Sequence, residues 1–281
     1  MPHDIATDRR LVYRSLRVLL VAFSALTLLA VASLFGLSGR TDRYFAWTIA
    51  PPLTAAFMGA GYGAGTTLVV LSLRTRYWAV ARVPIATIFV FTILTLLATL
   101  LHLDRFHFTA GGGIARFAAW FWMAVYVVIP VSMLAVIIQQ EREPGEDPPK
   151  RLPLPVPLRP ILAAQGAVLL VAGVALYVFP KQANHWWPWR LTPLTARAVA
   201  SWLLAFALAA GLSLWERDLG RLELAAIAYT VFGILELIAL ARYTGQVQWN
   251  RPAAWVYTGM LVLITATGAY GWRIAQGGRA P

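Results

Sequence analysis

PLTAAFMGAGYGAGTTLVVLSLRTR, residues 52–76, and PLTARAVASWLLAFALAAGLSLWER, residues 193–217, read as one segment written twice. They align without a gap at an offset of 141, with Pro-Leu-Thr-Ala at the start and Leu-Ser-Leu-x-x-Arg at the end. Nine of 25 positions are identical, more than shared apolar composition produces, so the chain carries an internal repeat. The same offset lays Ile93-Leu94-Thr95-Leu96-Leu97-Ala98 on Ile234-Leu235-Glu236-Leu237-Ile238-Ala239. After a shorter loop, Arg116-Phe117-Ala118-Ala119-Trp120 falls on Arg251-Pro252-Ala253-Ala254-Trp255.

Both copies are apolar enough to cross a bilayer, and similar runs recur along the whole chain. With 59% hydrophobic residues, 13% charged and a mean hydropathy of +0.65, lipid is the solvent for most of this surface. A hydrocarbon core of about 30 Å needs roughly 20 residues of helix. Spans are expected near 16–37, 52–74, 78–101, 117–139, 160–180, 193–215, 220–242 and 253–274. None has the alternation of a barrel strand, and backbone polar groups in lipid must be satisfied within the segment, so all eight are helices.

The fold expected is an all-α membrane protein of eight transmembrane helices, arranged as two tandem four-helix repeats. Four is an even number, so the second repeat enters with the orientation of the first and the pseudo-twofold axis runs along the membrane normal. The first repeat takes residues 1–140 and the second 160–281. Between them, 141–159 combines prolines with Glu141, Arg142, Glu143, Glu146, Asp147, Lys150 and Arg151, and reads as an extended, solvated linker.

The net charge of +12 follows from topology rather than from a nucleic-acid partner. Fifteen Lys and Arg fall on the side of the termini and nine on the other, which puts both termini in the cytoplasm and the chain in the cell membrane. Arg9, Arg10, Arg14 and Arg17 before Ala30-Val31-Ala32 have the look of a cleaved signal. The corresponding span at 160–180 lies mid-chain, however, and the first span is read as retained. The chain has no Cys, which excludes thiolate metal sites and cysteine nucleophiles.

Helix starts are legible at Thr192-Pro193 and at Pro51-Pro52, and Pro130 predicts a bend in the fourth span. The aromatic segments ahead of those starts, with Phe45, Trp47, Trp186, Trp187 and Trp189, read as an interfacial belt.

Candidate functional residues lie where the repeats differ. Gly59, Gly61, Gly63 and Gly65 form small-xxx-small pairs, whereas their counterparts are Ala200, Trp202, Leu204 and Phe206. Gly61, Gly65 and Trp202 are therefore read as a packing face or as the wall of an apolar ligand site. Glu236, whose counterpart is Thr95, is the carboxylate well inside a span, and Arg197 is its expected partner, on a ligand or ion pathway. Arg82 and Glu223 share one repeat position with opposite charge and are expected to form a salt bridge between the repeats. His102, Asp104, His107 and His185 lie in outer loops and are weighed as a divalent-metal or haem site, although their spacing matches no helical metal motif.

Other chemistries fail. Gly36-Leu37-Ser38-Gly39 resembles the serine motif of rhomboid proteases, but it sits at a helix exit and no span holds a central His to act as base. The lysines, Lys150 and Lys181, are not within spans, so no retinal attachment is read. The function expected is a permease-like protein or a binder of lipid or a small apolar ligand. A non-catalytic subunit, scaffold or sensor is the alternative, and a membrane enzyme using the outer histidines the third. No cofactor is expected outside that histidine reading. Membrane lipid is the expected partner, and a second copy or another membrane protein is left open.

Overall fold

The computed structural model describes residues 9–278. Among them, eight helices are long and apolar enough to cross a membrane. We number these α1 (Arg14–Gly36), α2 (Pro52–Ser72), α3 (Trp78–Leu100), α4 (Gly113–Glu141), α5 (Leu158–Val178), α6 (Pro193–Glu216), α7 (Leu219–Arg242) and α8 (Pro252–Gly277). The chain is a multipass membrane protein, and each expected span is present. The largest departure is α4, which starts at Gly113 rather than near 117. Gly111, at φ +86°, makes the turn that the glycine run allows, and the helix begins at once behind it.

Local chemistry sets the ends. Thr192 and Thr195 form a reciprocal cap on α6, with Pro193 at the first helical position. Arg217, at φ 53°, ends α6 in the left-handed region, and Asp218 caps α7 by accepting from the Arg221 N–H at 3.0 Å. α4 runs through Pro130, which lacks the N–H that would bond the Tyr126 carbonyl.

α2, α3, α6 and α7 form the centre, and α1, α4, α5 and α8 lie outside them. α1 packs on α2 and α5 on α6; α3 packs on α4 and α7 on α8. Across the middle, α2 packs on α7 and α3 on α6. The outer faces carry exposed Val131, Val171 and Val256, apolar surface that only lipid accommodates.

One loop expectation is corrected. Of the five aromatics assigned to an interfacial belt, only Trp186 is exposed; Phe45, Trp47, Trp187 and Trp189 are buried. They fold back over the bundle, and the Trp189 Nε1–H donates to Thr54 Oγ1 of α2 at 2.9 Å, which fixes the loop before α6 to a helix of the other half. The proline-rich segment, largely exposed, is anchored near its end. Leu154 is buried, and Asp218 Oδ2 accepts from the N–H groups of Arg151 and Leu152 at 2.7 and 3.0 Å.

Helix approach depends on glycine at chosen points. A Cβ on Gly59 would lie 2.5 Å from the Phe35 backbone nitrogen in the last turn of α1, whereas one on Gly65 meets only Trp202, at an ordinary 3.8 Å. Gly59→Ala is expected to destabilise the protein by about 1–3 kcal/mol, the usual cost of overpacking. Gly65→Ala is expected to be neutral or stabilising by up to about 1 kcal/mol through helix propensity. Reversible unfolding in mixed micelles checks the contrast, and equal loss in both variants contradicts it.

Candidate functional site

Gly61 leaves a hollow on α2, and Trp202 of α6 fills it: a Cβ at Gly61 would stand 2.6 Å from the indole Cε2. The indole stacks on Phe91 of α3 with centroids 3.8 Å apart, and Tyr62 meets it edge-on at 5.2 Å. From there aromatic contacts continue to Tyr126 and Trp122 of α4, whose rings are 4.3 Å apart, and to Phe45. This wall backs a cavity of about 280 Å³ that Gly65 also lines. Along the glycine face, Gly59 and Gly61 are closely packed and Gly65 lines the cavity.

The cavity lies between the middle and outer parts of α1 and α4. At the other end these two helices are joined, where Gln140 Nε2 donates to the Leu11 carbonyl at 2.7 Å and Gln140 Oε1 accepts from the Tyr13 N–H at 3.1 Å. Leu29, Ile114 and Phe117 line the cavity and are also more than half exposed, so its mouth faces lipid. The lining is almost wholly hydrocarbon. Its Thr27, Thr87 and Thr92 hydroxyls donate to backbone carbonyls of their own helices, at 2.9, 2.8 and 2.9 Å. Its polar groups include a pair of tyrosines, Tyr62 and Tyr126, buried on the wall with their hydroxyls hydrogen-bonded to each other. Neither was singled out from sequence. The residues aligned with them in the sequence comparison, Leu203 and Leu261, lack a hydroxyl, the same kind of difference that marked Glu236.

Glu236 is fully buried, but its partner is not Arg197. Its Oε2 accepts from the Tyr257 hydroxyl at 2.9 Å, and its Oε1 has no hydrogen-bond partner. Tyr257 is held by Trp187 and Trp189, 5.4 and 5.3 Å away. Arg197 turns instead to the loop after α3, where Nη1 donates to His102 Nε2 at 2.8 Å.

The outer histidines do not converge. His107 Nδ1 donates to the Phe45 carbonyl and its Nε2 accepts from Thr48, both at 3.1 Å. Asp104 pairs with its neighbour Arg105 at 2.9 Å, and the His185 carbonyl accepts from Arg251 at 3.0 Å. Among the described residues no three His, Cys, Asp or Glu come together as a metal site. Ser38, of the protease-like stretch, bonds to the Tyr243 hydroxyl at 2.6 Å.

Arg82 does tie the two halves together, through Glu216 rather than Glu223. Arg82 Nη2 donates to Glu216 Oε2 at 2.6 Å, and its Nη1 reaches Asp147 of the linker at 3.0 Å. Glu216 is 1% exposed and also accepts from Arg221, while Lys150 donates to the Glu216 carbonyl. Arg82 lies over the Trp215 ring as well, 4.8 Å from its centre. Glu216 sits at a helix end among loop charges, so nothing in its spacing marked it as buried.

Comparison with known proteins finds no family model, curated protein or solved structure that matches this chain. The site therefore has to be read from its own chemistry.

Two measurements follow from these contacts. Removing Glu216 leaves the guanidinium groups of Arg82 and Arg221 with only the partly exposed Asp147 as counter-charge, so Glu216→Gln is expected to cost up to about 3–5 kcal/mol. A double-mutant cycle of Arg82→Met with Glu216→Gln is expected to show coupling above about 1 kcal/mol, and the cycle with Glu223→Gln less than about 0.5 kcal/mol. The second concerns His102, whose pKa is lowered from the ordinary histidine value by partial burial, then by the Arg197 charge, against the opposing pull of Asp104. The unfolded chain binds this proton more readily than the folded one, so His102 contributes stability that is present above the unfolded pKa and lost as pH falls below it. His102→Gln is expected to flatten the loss of stability between about pH 7 and pH 5, as read by thermal unfolding across that range.

Proposed function

We propose that this protein takes up a lipid, or another apolar molecule, from the bilayer into the cleft between α1 and α4. One observation carries the reading: a preformed cavity, walled by aromatic rings and lined with hydrocarbon, whose mouth coincides with exposed apolar residues on the face that meets lipid. A water-soluble substrate gains little there, because the lining threonines already donate to backbone carbonyls.

The architecture behind the cleft is, on this reading, a duplicated four-helix unit. The units are 1–140 and 160–281, related by a pseudo-twofold axis along the membrane normal, with 141–159 joining them and both termini in the cytoplasm. The packing pairs support it. α1 on α2 corresponds to α5 on α6, α3 on α4 to α7 on α8, and α2 on α7 to α6 on α3. Gly61 and Trp202 occupy one repeat position and touch each other, as residues beside a twofold axis do. An unmodified duplicate would put two indoles or two hollows there. Glycine on one side and tryptophan on the other resolves the conflict and leaves room for the cleft beside α1 and α4.

The test fills the mouth. Ala118→Phe adds a ring at a half-buried lining position without entering the core. In nanodiscs made from a total membrane lipid extract, native mass spectrometry of the parent protein is expected to find an apolar molecule retained in fixed ratio. Ala118→Phe is expected to reduce it at least tenfold with unfolding temperature unchanged. Retention of bulk lipid alone, identical in both proteins, contradicts the proposal.

A further inference from the structure

The cleft has unmatched hydrogen-bond donors at its inner wall. Tyr62 and Tyr126 share one hydrogen bond, which uses one of their two hydroxyl protons. Thr95, beside Tyr126, is buried and its hydroxyl has no partner by hydrogen-bond geometry, so it is no established acceptor for the second. On the same wall the Trp202 Nε1–H is buried with no acceptor. Buried donors in native proteins find acceptors, and here the neighbouring lining is hydrocarbon.

Depth narrows the chemistry. Tyr62 is ten residues past Pro52, about 15 Å along α2 and so near the middle of a hydrocarbon core of about 30 Å. A charged headgroup does not sit there without a partner of opposite sign, and no Lys or Arg lines the cleft. The ligand group opposite these donors must be neutral, must accept a hydrogen bond, and must be soluble in hydrocarbon. A carbonyl on a lipophilic ring meets all three conditions, and a flat conjugated ring also suits a wall built from Phe91, Trp122 and Trp202.

We propose that the cleft binds a neutral carbonyl lipid of the isoprenoid-quinone class, its carbonyl accepting from the Tyr62–Tyr126 pair or from Trp202 and its chain lying along α4 toward the mouth. The proposal rests on the reading of the cleft as a site for an apolar ligand, and concerns binding alone.

The experiment titrates full-length protein in nanodiscs with two probes, an isoprenoid benzoquinone and squalene, a hydrocarbon with no acceptor. Quinone binding is followed by quenching of tryptophan fluorescence, and squalene by its displacement of the quinone. The parent protein is expected to bind the quinone at least tenfold more tightly than squalene, the scale of one or two well-placed hydrogen bonds. Tyr62→Phe/Tyr126→Phe, which keeps the rings, is expected to remove most of that preference with squalene affinity unchanged; unchanged squalene binding also reports an intact cleft. Trp202→Phe is a second variant, with a smaller loss expected. Equal affinity for both probes, or a preference that survives all three substitutions, overturns the quinone proposal and leaves the apolar cleft standing. Binding of neither probe, with Ala118→Phe indistinguishable from the parent, overturns the reading of the cleft itself.

Discussion

The contact on which this bundle depends is one indole ring set into one missing side chain. Trp202 enters the hollow at Gly61 so closely that a methyl group there would overlap the ring. In water the hydrophobic effect would hold these helices together in any case. In lipid, where a tail is as apolar as a leucine, close packing must supply the attraction, and small residues on the approached helix are what permit it. Gly59 serves α1 in the same way, and Gly173 receives Leu204 where α5 meets α6.

The aromatic wall follows from that contact. Trp202 aligns Phe91 and Tyr62, and the contacts pass to Tyr126, Trp122 and Phe45. A wall of rigid rings keeps its shape when nothing presses on it, which is how an apolar hollow persists between α1 and α4. At the opposite end the polar groups are gathered instead around Glu216, where α3, α6, α7 and the linker meet. One end of the molecule is therefore held by directional charge and the middle by shape.

The spans were legible because lipid imposes one simple rule on composition and length, and the starts of α2 and α6 because Pro51-Pro52 and Thr192-Pro193 act locally. Gly61, Gly65 and Trp202 were singled out together because segments 52–76 and 193–217 differ there when aligned, and the structure sets Trp202 against Gly61. Partner assignments were not. Glu236 and Arg197 were matched by depth along the helices, but depth says nothing about rotation, and the two side chains turn to Tyr257 and His102. Arg82 was matched to its symmetry mate, whereas the length of an arginine lets it reach Glu216 on α6. The tryptophans misled for a related reason: composition suits Trp187 and Trp189 equally to a membrane surface and to a buried cap, and only the path of the loop decides.

The joint formed by Gln140 between α1 and α4 has a consequence for how the molecule sits among its neighbours. Because these helices are fastened at one end and stand apart beyond it, the bundle has a front, where the cleft opens, and a back formed by α5 and α8. A protein neighbour seated across the front would seal the doorway, whereas one seated on the back would leave traffic untouched. On the proposed reading of the cleft, any assembly compatible with exchange of a guest is restricted to one flank of the molecule.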